Sequence, residues 1–276
     1  MSKFDFLKIT SATRLYNLHT HTQFCDGRSS IEEFCDAAER LGFTHLGFSP
    51  HSPLPIDSPC NMDVEDVPAY IETVRRMREL HPSLHIYTSM EVDYLSDDWG
   101  PATRCLDTLP LDYRIGSVHF IPDLDGKFVD IDGSEERFRT TLETRFDGDL
   151  RTLVNTFFNQ SAQMIRTGGF DMIGHFDKIA QNASSVDPEI ENRPWYRKRL
   201  SDLTEMIIES GVAVELNTKI YNKNGRLFPN RNILNRLTDA GVTIVVNSDA
   251  HYADRLNAGR DEAFAILEAA SRAEAV

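Results

Sequence analysis

Short apolar runs alternate with amphipathic segments along most of the chain. Residues 16–18, 44–49, 84–90, 113–118, 170–173, 212–216 and 243–246 have the length and apolar character of buried strands. Between the first two, Ile31, Phe34, Cys35, Ala38 and Leu41 recur at three- and four-residue spacing, and Gly42 ends the run. Residues 67–80 read as a second helix stopped by His81-Pro82, and residues 261–270 as a closing helix. Strands that alternate with helices predict parallel βαβ units. Seven units are one short of a regular barrel. The expected fold is therefore α/β: a distorted seven-stranded (β/α) TIM-like barrel, a single domain over residues 1–276. An open doubly wound sheet is the alternative, but it would gather its chemistry at one switch point.

Two connections are long. Over residues 122–169, an insertion within the domain, Asp123-Leu124-Asp125-Gly126 predicts a hairpin turn and Ser134 a helix cap, with Glu135 and Glu136 in the first turn. A break at Asp147-Gly148 precedes a helix over 150–166 that leads to the fifth strand. Residues 219–230, rich in Asn, Lys and Gly, read as a lid or a solvated loop.

The polar residues that follow these strands carry the chemistry. Six of the nine histidines lie there: His19, His21, His51, His119, His175 and His251. Residues two apart on a strand point to the same side, so His19 and His21 can reach one ion, as can Asp249 and His251. Glu91 closes an apolar strand, where a carboxylate is expensive unless paired or ligated. Taken singly, each is also a plausible surface or turn residue, Asp26 beside Gly27 among them. Falling past six of seven strands, they predict one metal cluster at the mouth of a barrel. His45, His81 and His85 read as structural. No GxSxG elbow, phosphate-binding loop ending in GK[ST] or HExxH zinc motif occurs.

Composition narrows the partners. A net charge of −14 argues against a general affinity for nucleic acid. No apolar run approaches the ~20 residues that span a bilayer. The opening segment, residues 1–8, lacks the core and cleavage site of a secretory signal, so a cytoplasmic protein is expected. Cys25, Cys35, Cys60 and Cys105 form no CxxC pair and fit free thiols in a reducing compartment.

In order along the chain, His19-Thr20-His21, Phe24-Cys25-Asp26-Gly27, Pro50-His51-Ser52, Glu91-Val92-Asp93, Gly116-Ser117-Val118-His119, Gly174-His175-Phe176-Asp177 and Asn247-Ser248-Asp249-Ala250-His251 resemble the PHP (polymerase and histidinol phosphatase) superfamily. Among its branches the chain looks most like the histidinol-phosphate phosphatases; Asp26, where many members have histidine, fits that branch. The resemblance implies three divalent ions, with zinc, manganese and iron all suited to such ligands. His19, His21, Glu91 and Asp249 would hold the first. Glu91 as a bridge, His119 and His175 would hold the second, and Asp26, His51 and His251 the third. Asp93, Ser117 and Asp177 would orient the ligands.

The implied reaction is hydrolysis of L-histidinol phosphate, with a metal-bridging hydroxide as nucleophile. Lys178, Arg193 and Arg197 are candidates to clamp the phosphate. Glu215 and Asn217 are candidates for the substrate's ammonium or imidazole. Asp249 and His251 are candidate proton donors or relays. The partner is thus a small phosphate ester rather than nucleic acid or membrane, and the sequence does not set the oligomeric state. Other expectations are a PHP phosphoesterase for nucleotides or phosphotyrosine, a metal-dependent amidohydrolase, or a metal-binding domain without activity.

Overall fold

A computed structural model describes residues 4–272; residues 1–3, which open the N-terminal segment considered above, lie outside it. The strands are β1 (Tyr16–Asn17), β2 (His45–Phe48), β3 (His85–Asp93), β4 (Tyr113–Ser117), β5 (Phe120–Pro122), β6 (Phe128–Asp130), β7 (Met172–Ile173), β8 (Ala213–Asn217) and β9 (Ile244–Asn247). Seven of them form one parallel sheet in the order β1-β2-β3-β4-β7-β8-β9. β5 and β6 form a separate antiparallel hairpin.

The two ends of the sheet meet. Thr20 and Ala250 form a parallel bridge, and the His21 N–H donates to the Ala250 carbonyl at 2.9 Å. The result is a nearly closed barrel, not an open sheet. Below that bridge β1 and β9 have no ladder between them, so side chains fill the seam. Asn247 Oδ1 accepts from the Leu18 N–H at 2.8 Å, and the Tyr16 hydroxyl from the Val246 N–H at 3.1 Å. Asn17 donates to Ser248 Oγ and to the Leu256 carbonyl. Arg260, only 1% exposed, donates to the carbonyls of Val246, Arg14 and Tyr16. Tyr16, Phe43 and Phe264 flank its guanidinium at 5.2, 5.0 and 5.2 Å. No carboxylate is needed: backbone oxygens and ring faces supply the negative charge density.

Helices cover the outside. Ile31–Arg40 begins at a capping box between Ser30 and Glu33, and with Val67–Leu80 it packs on Leu46, Phe48, Ile86 and Met90. Most other apolar side chains form one large core that includes the helices Leu150–Thr167 and Pro194–Ser210. The predicted turn, Ser134 cap and break at Asp147-Gly148 are all present; both residues of the break have positive φ. Strand limits moved where pairing decides them. β3 runs on to Asp93 because it pairs with β2 on one side and β4 on the other, so Glu91 sits inside a strand. β7 contracts to two residues. Residues 219–230 contain a one-turn helix, Tyr221–Asn224, and are tied down at their far end, where Phe228 pairs with Asn217 and the Asn230 N–H donates to Asp177. Among the described residues no helix is long and apolar enough to cross a membrane.

Arg260→Met should lower the unfolding free energy by about 2–4 kcal/mol, because it strands buried carbonyls at the seam. Urea denaturation would measure this; a loss below about 0.5 kcal/mol would show that the seam closes without the guanidinium.

Candidate metal centre

At the end of the barrel where the parallel strands finish, Glu91 is fully buried and imidazoles surround it. Its Oε2 lies 3.3 Å from His19 Nε2, 3.4 Å from His21 Nε2 and 3.2 Å from His51 Nδ1. Its Oε1 lies 3.0 Å from His175 Nε2 and 3.7 Å from His119 Nε2. Asp249 Oδ1 completes the first group at 3.1 Å from His21 Nε2. Donors that share one ion at ~2.1 Å should lie roughly 3.0–3.4 Å apart. His19, His21 and Glu91 are at that spacing, with Asp249 Oδ1 near His21 but 3.9 Å from His19 Nε2; in the Glu91, His119 and His175 group the two Nε2 atoms are 3.3 Å apart and only His119 to Glu91, at 3.7 Å, is longer. The third group shows a similar spread. Asp26 lies 3.2 Å from His251 Nε2, but 3.6 Å from His21 Nδ1 and 3.9 Å from His51 Nε2.

Local structure explains the convergence. The β2–β3 pairing continues past Phe48: Pro50 accepts from the Glu91 N–H and Glu91 from the Ser52 N–H, which locks His51 beside Glu91. A Cβ on Gly27 would lie 2.3 Å from the Thr22 nitrogen, so only glycine lets the loop fold Asp26 back onto His21. Asp249 has φ of 49°, a strained setting for a residue with a Cβ, and it turns the carboxylate toward the cluster.

A layer of polar groups orients the imidazoles. Glu215 Oε1 lies 2.6 Å from His19 Nδ1, and Asp93 Oδ1 lies 2.8 Å from His119 Nδ1. Each therefore aims the ring's other nitrogen inward. Ser117 donates to Glu91 Oε1 at 2.6 Å, and the His175 N–H donates to Glu215 Oε2 at 3.1 Å.

Charge in the cluster is unbalanced without a cation. Burial opposes ionisation of Glu91, but His19, His119 and His51 hold its pKa well below the usual carboxylate range. Burial likewise opposes a charged His19, yet Glu215, Glu91 and Asp249 push it up to about 10. Asp93 and Glu91 push His119 up to about 9 against the same penalty. His175 is lowered, by burial first and then by Lys178. Glu91 Oε2, Asp26 Oδ1 and His51 Nδ1 are buried with no hydrogen-bond partner. Buried carboxylates with orphaned oxygens among inward-facing imidazoles fit divalent cations.

Several expected roles change. Glu215 and Asn217 are fully buried and spend their polar atoms inside the cluster; Asn217 donates to Glu215 and to Asp249. They bond to His19 and Asp249 and do not line the cavity at the mouth. Arg193 pairs with Asp187, and Arg197 bonds the Glu191 carbonyl and Asn192. Both sit at the start of the outer helix Pro194–Ser210, away from the mouth, because nearby acceptors claim them. Asp177 accepts from the Asn230 N–H and touches no ligand; burial raises its pKa to about 7. Lys178 does reach the mouth, bound to Asp132 at 2.6 Å.

Three contributors were not anticipated. The hairpin starts directly after His119, and its register sets Asp130 opposite Phe120, so Asp130 and Asp132 border a cavity of about 360 Å³ beside His119 and His51. Lys219 borders it too, with Nζ 3.2 Å from Asp249 Oδ1. Only a lysine two residues past the sixth barrel strand hinted at the last.

The PHP domain family model matches residues 17–219, most of the chain. The chain belongs to the PHP domain family. It is 25% identical over 259 residues to the histidinol-phosphatase of Bacillus subtilis (strain 168), covering 85% of this chain and 92% of that protein. A structure assigned as a histidinol phosphatase from Listeria monocytogenes superposes with a TM-score of 0.78 at 20% identity, over 90% of this chain and 99% of that one. The histidinol phosphate phosphatase of Lactococcus lactis subsp. lactis Il1403, in complex with zinc, L-histidinol and phosphate, gives 0.71 at 19% identity, over 92% and 93%. These two likenesses establish the PHP barrel architecture.

Glu215→Gln and Asp93→Asn should each weaken metal binding about 10–100-fold while the protein still folds. Equilibrium dialysis followed by elemental analysis would read it; unchanged affinity would remove their orienting role. Metal uptake should also release protons, since His19 and His119 must give theirs up. Affinity should thus rise with pH toward 9, and a flat profile would contradict the charge balance above.

Proposed function

We propose that the chain is a metal-dependent phosphomonoesterase that hydrolyses L-histidinol phosphate to L-histidinol and phosphate. The observation that carries this is Glu91, whose two oxygens each face a separate set of imidazoles at the mouth of a PHP barrel. That is the donor set for adjacent divalent ions. His19, His21, Glu91 and Asp249 would hold one, Glu91, His119 and His175 a second, and Asp26, His51 and His251 a third. Zinc, manganese or iron suits these ligands. Such ions, when bound, supply a nucleophilic water at neutral pH and polarise phosphoryl oxygens, which answers the very high barrier of monoester hydrolysis.

The protein's own residues do the rest. Glu215, Asp93 and Ser117 fix ligand orientation before substrate arrives. Lys178 presents a cation to the phosphate; Asp132 holds it charged, since burial alone would lower its pKa and the carboxylate reverses that. Asp130 and Asp132 line the same cavity and suit the ammonium group of histidinol. A site with cations and carboxylates on one small cavity matches a substrate that is anionic at one end and cationic at the other. His251 and Asp249 act here as ligands rather than proton donors: burial and then Lys219 lower the His251 pKa to about 4, and, against burial, Lys219 and His19 hold Asp249 well below the usual carboxylate range. The histidinol-phosphatase of Bacillus subtilis supports this substrate, and so does the Lactococcus lactis complex with histidinol and phosphate.

Phosphate release from histidinol phosphate should exceed release from nucleoside monophosphates and phosphotyrosine. It should vanish on chelation and return with added metal. His119→Ala should lower kcat by about 10³-fold or more with little change in melting temperature, because strand-mouth ligands serve chemistry more than packing. Preference for a nucleotide would replace the substrate, and full activity in metal-free protein would reject the mechanism.

A further inference from the structure

We propose that Lys219 competes with the third divalent ion for His251, and so makes the third site the weak one; this rests on the metal reading above. The His251 Nδ1–H points at the Asp249 carbonyl, 3.0 Å away, which leaves one lone pair on Nε2. Two groups approach that nitrogen: Asp26 Oδ2 at 3.2 Å and Lys219 Nζ at 3.3 Å. An imidazole nitrogen has a single lone pair. It can accept from the ammonium or bind an ion held by Asp26, but it cannot do both.

Charge works in the same direction. Lys219 Nζ also lies 3.2 Å from Asp249 Oδ1, so an ion bound between Asp26 and His251 would sit a few ångströms from a fixed positive charge. The lysine is held in place. Its N–H donates to Asn217 Oδ1 at 2.9 Å, and Asn217 is part of β8. Preceding Thr218 is tied to the Ala258 carbonyl at 2.6 Å. Lys219 also touches Asp249 of the first group, but there it meets a carboxylate with a second oxygen to offer; at His251 it meets the single free lone pair.

The test is a calorimetric titration of the full chain with Mn²⁺ after chelation, for wild type, Lys219→Met, Lys219→Gln and Lys219→Arg. Melting temperatures would confirm that each variant folds. The expected result is a weak third equivalent in wild type and in Lys219→Arg, which keeps the charge. In Lys219→Met or Lys219→Gln it should bind at least about tenfold tighter, with the second equivalent, whose ligands Lys219 does not touch, unchanged. A third-site affinity within about twofold of wild type in both neutral variants would overturn the proposal, as would tight binding in Lys219→Arg. If no variant and no wild type binds Mn²⁺ or Zn²⁺, the metal reading itself fails and this proposal with it.

Discussion

The structure turns on one buried carboxylate. Glu91 lies two residues before the end of the longest barrel strand, without solvent exposure, and five imidazoles come within 3.7 Å of its oxygens. A carboxylate so placed is tolerable only if positive charge sits on it. In the protein alone, protons on His19 and His119 provide part of that charge; against burial, Glu215 and Asp93 respectively, and then Glu91, push those two rings up. Divalent ions would provide it more fully. The strain at Asp249, the close approach at Gly27 and the orphaned oxygens all point inward to the same place.

Parallel strands are what make such a cluster possible. In a parallel sheet every strand ends on the same side, so each can deliver a ligand to one mouth. Closure then matters as much as direction. His19 and His21 follow the first strand and Asp249 and His251 follow the last, so these four meet only if the sheet curls until its edges touch. The Thr20–Ala250 bridge and the Arg260 guanidinium hold that seam. Arg260 therefore supports the metal centre from the other side of β1 without approaching it.

Much of this was legible in the chain. Apolar runs gave the seven parallel strands in order, and the histidines after them marked the mouth, because strand-end polarity survives small errors in strand limits. Side-chain partners were less legible. Glu215 and Asn217 sit at the end of a strand just as the ligands do, and periodicity alone points them inward in the same way. Only depth separates them: Glu215 bonds to His19 and Asn217 to Asp249, so their polar atoms are spent on the cluster. Arg193 and Arg197 failed for another reason. Proximity in sequence to a barrel strand says nothing about which local acceptor a long cation will find, and Asp187, Asn192 and the Glu191 carbonyl were nearer. The hairpin carboxylates were invisible because an antiparallel register, not a strand end, carries them to the cavity.

The distribution of cations follows from this depth. Positive charge in the innermost layer comes from titratable imidazoles, which can exchange a proton for an ion. Fixed cations occur further out. Lys178 is neutralised by Asp132, and Lys219 touches Asp249 and His251 at the outer edge of the cluster. A lysine placed as deep as Glu91 would satisfy the carboxylate permanently and shut ions out. At the rim it leaves the second donor group untouched, meets the first only through Asp249, and bears most directly on the third. The ordering of histidine inside and lysine outside thus keeps Glu91 available to divalent ions and still offers an anionic substrate positive charge at the entrance.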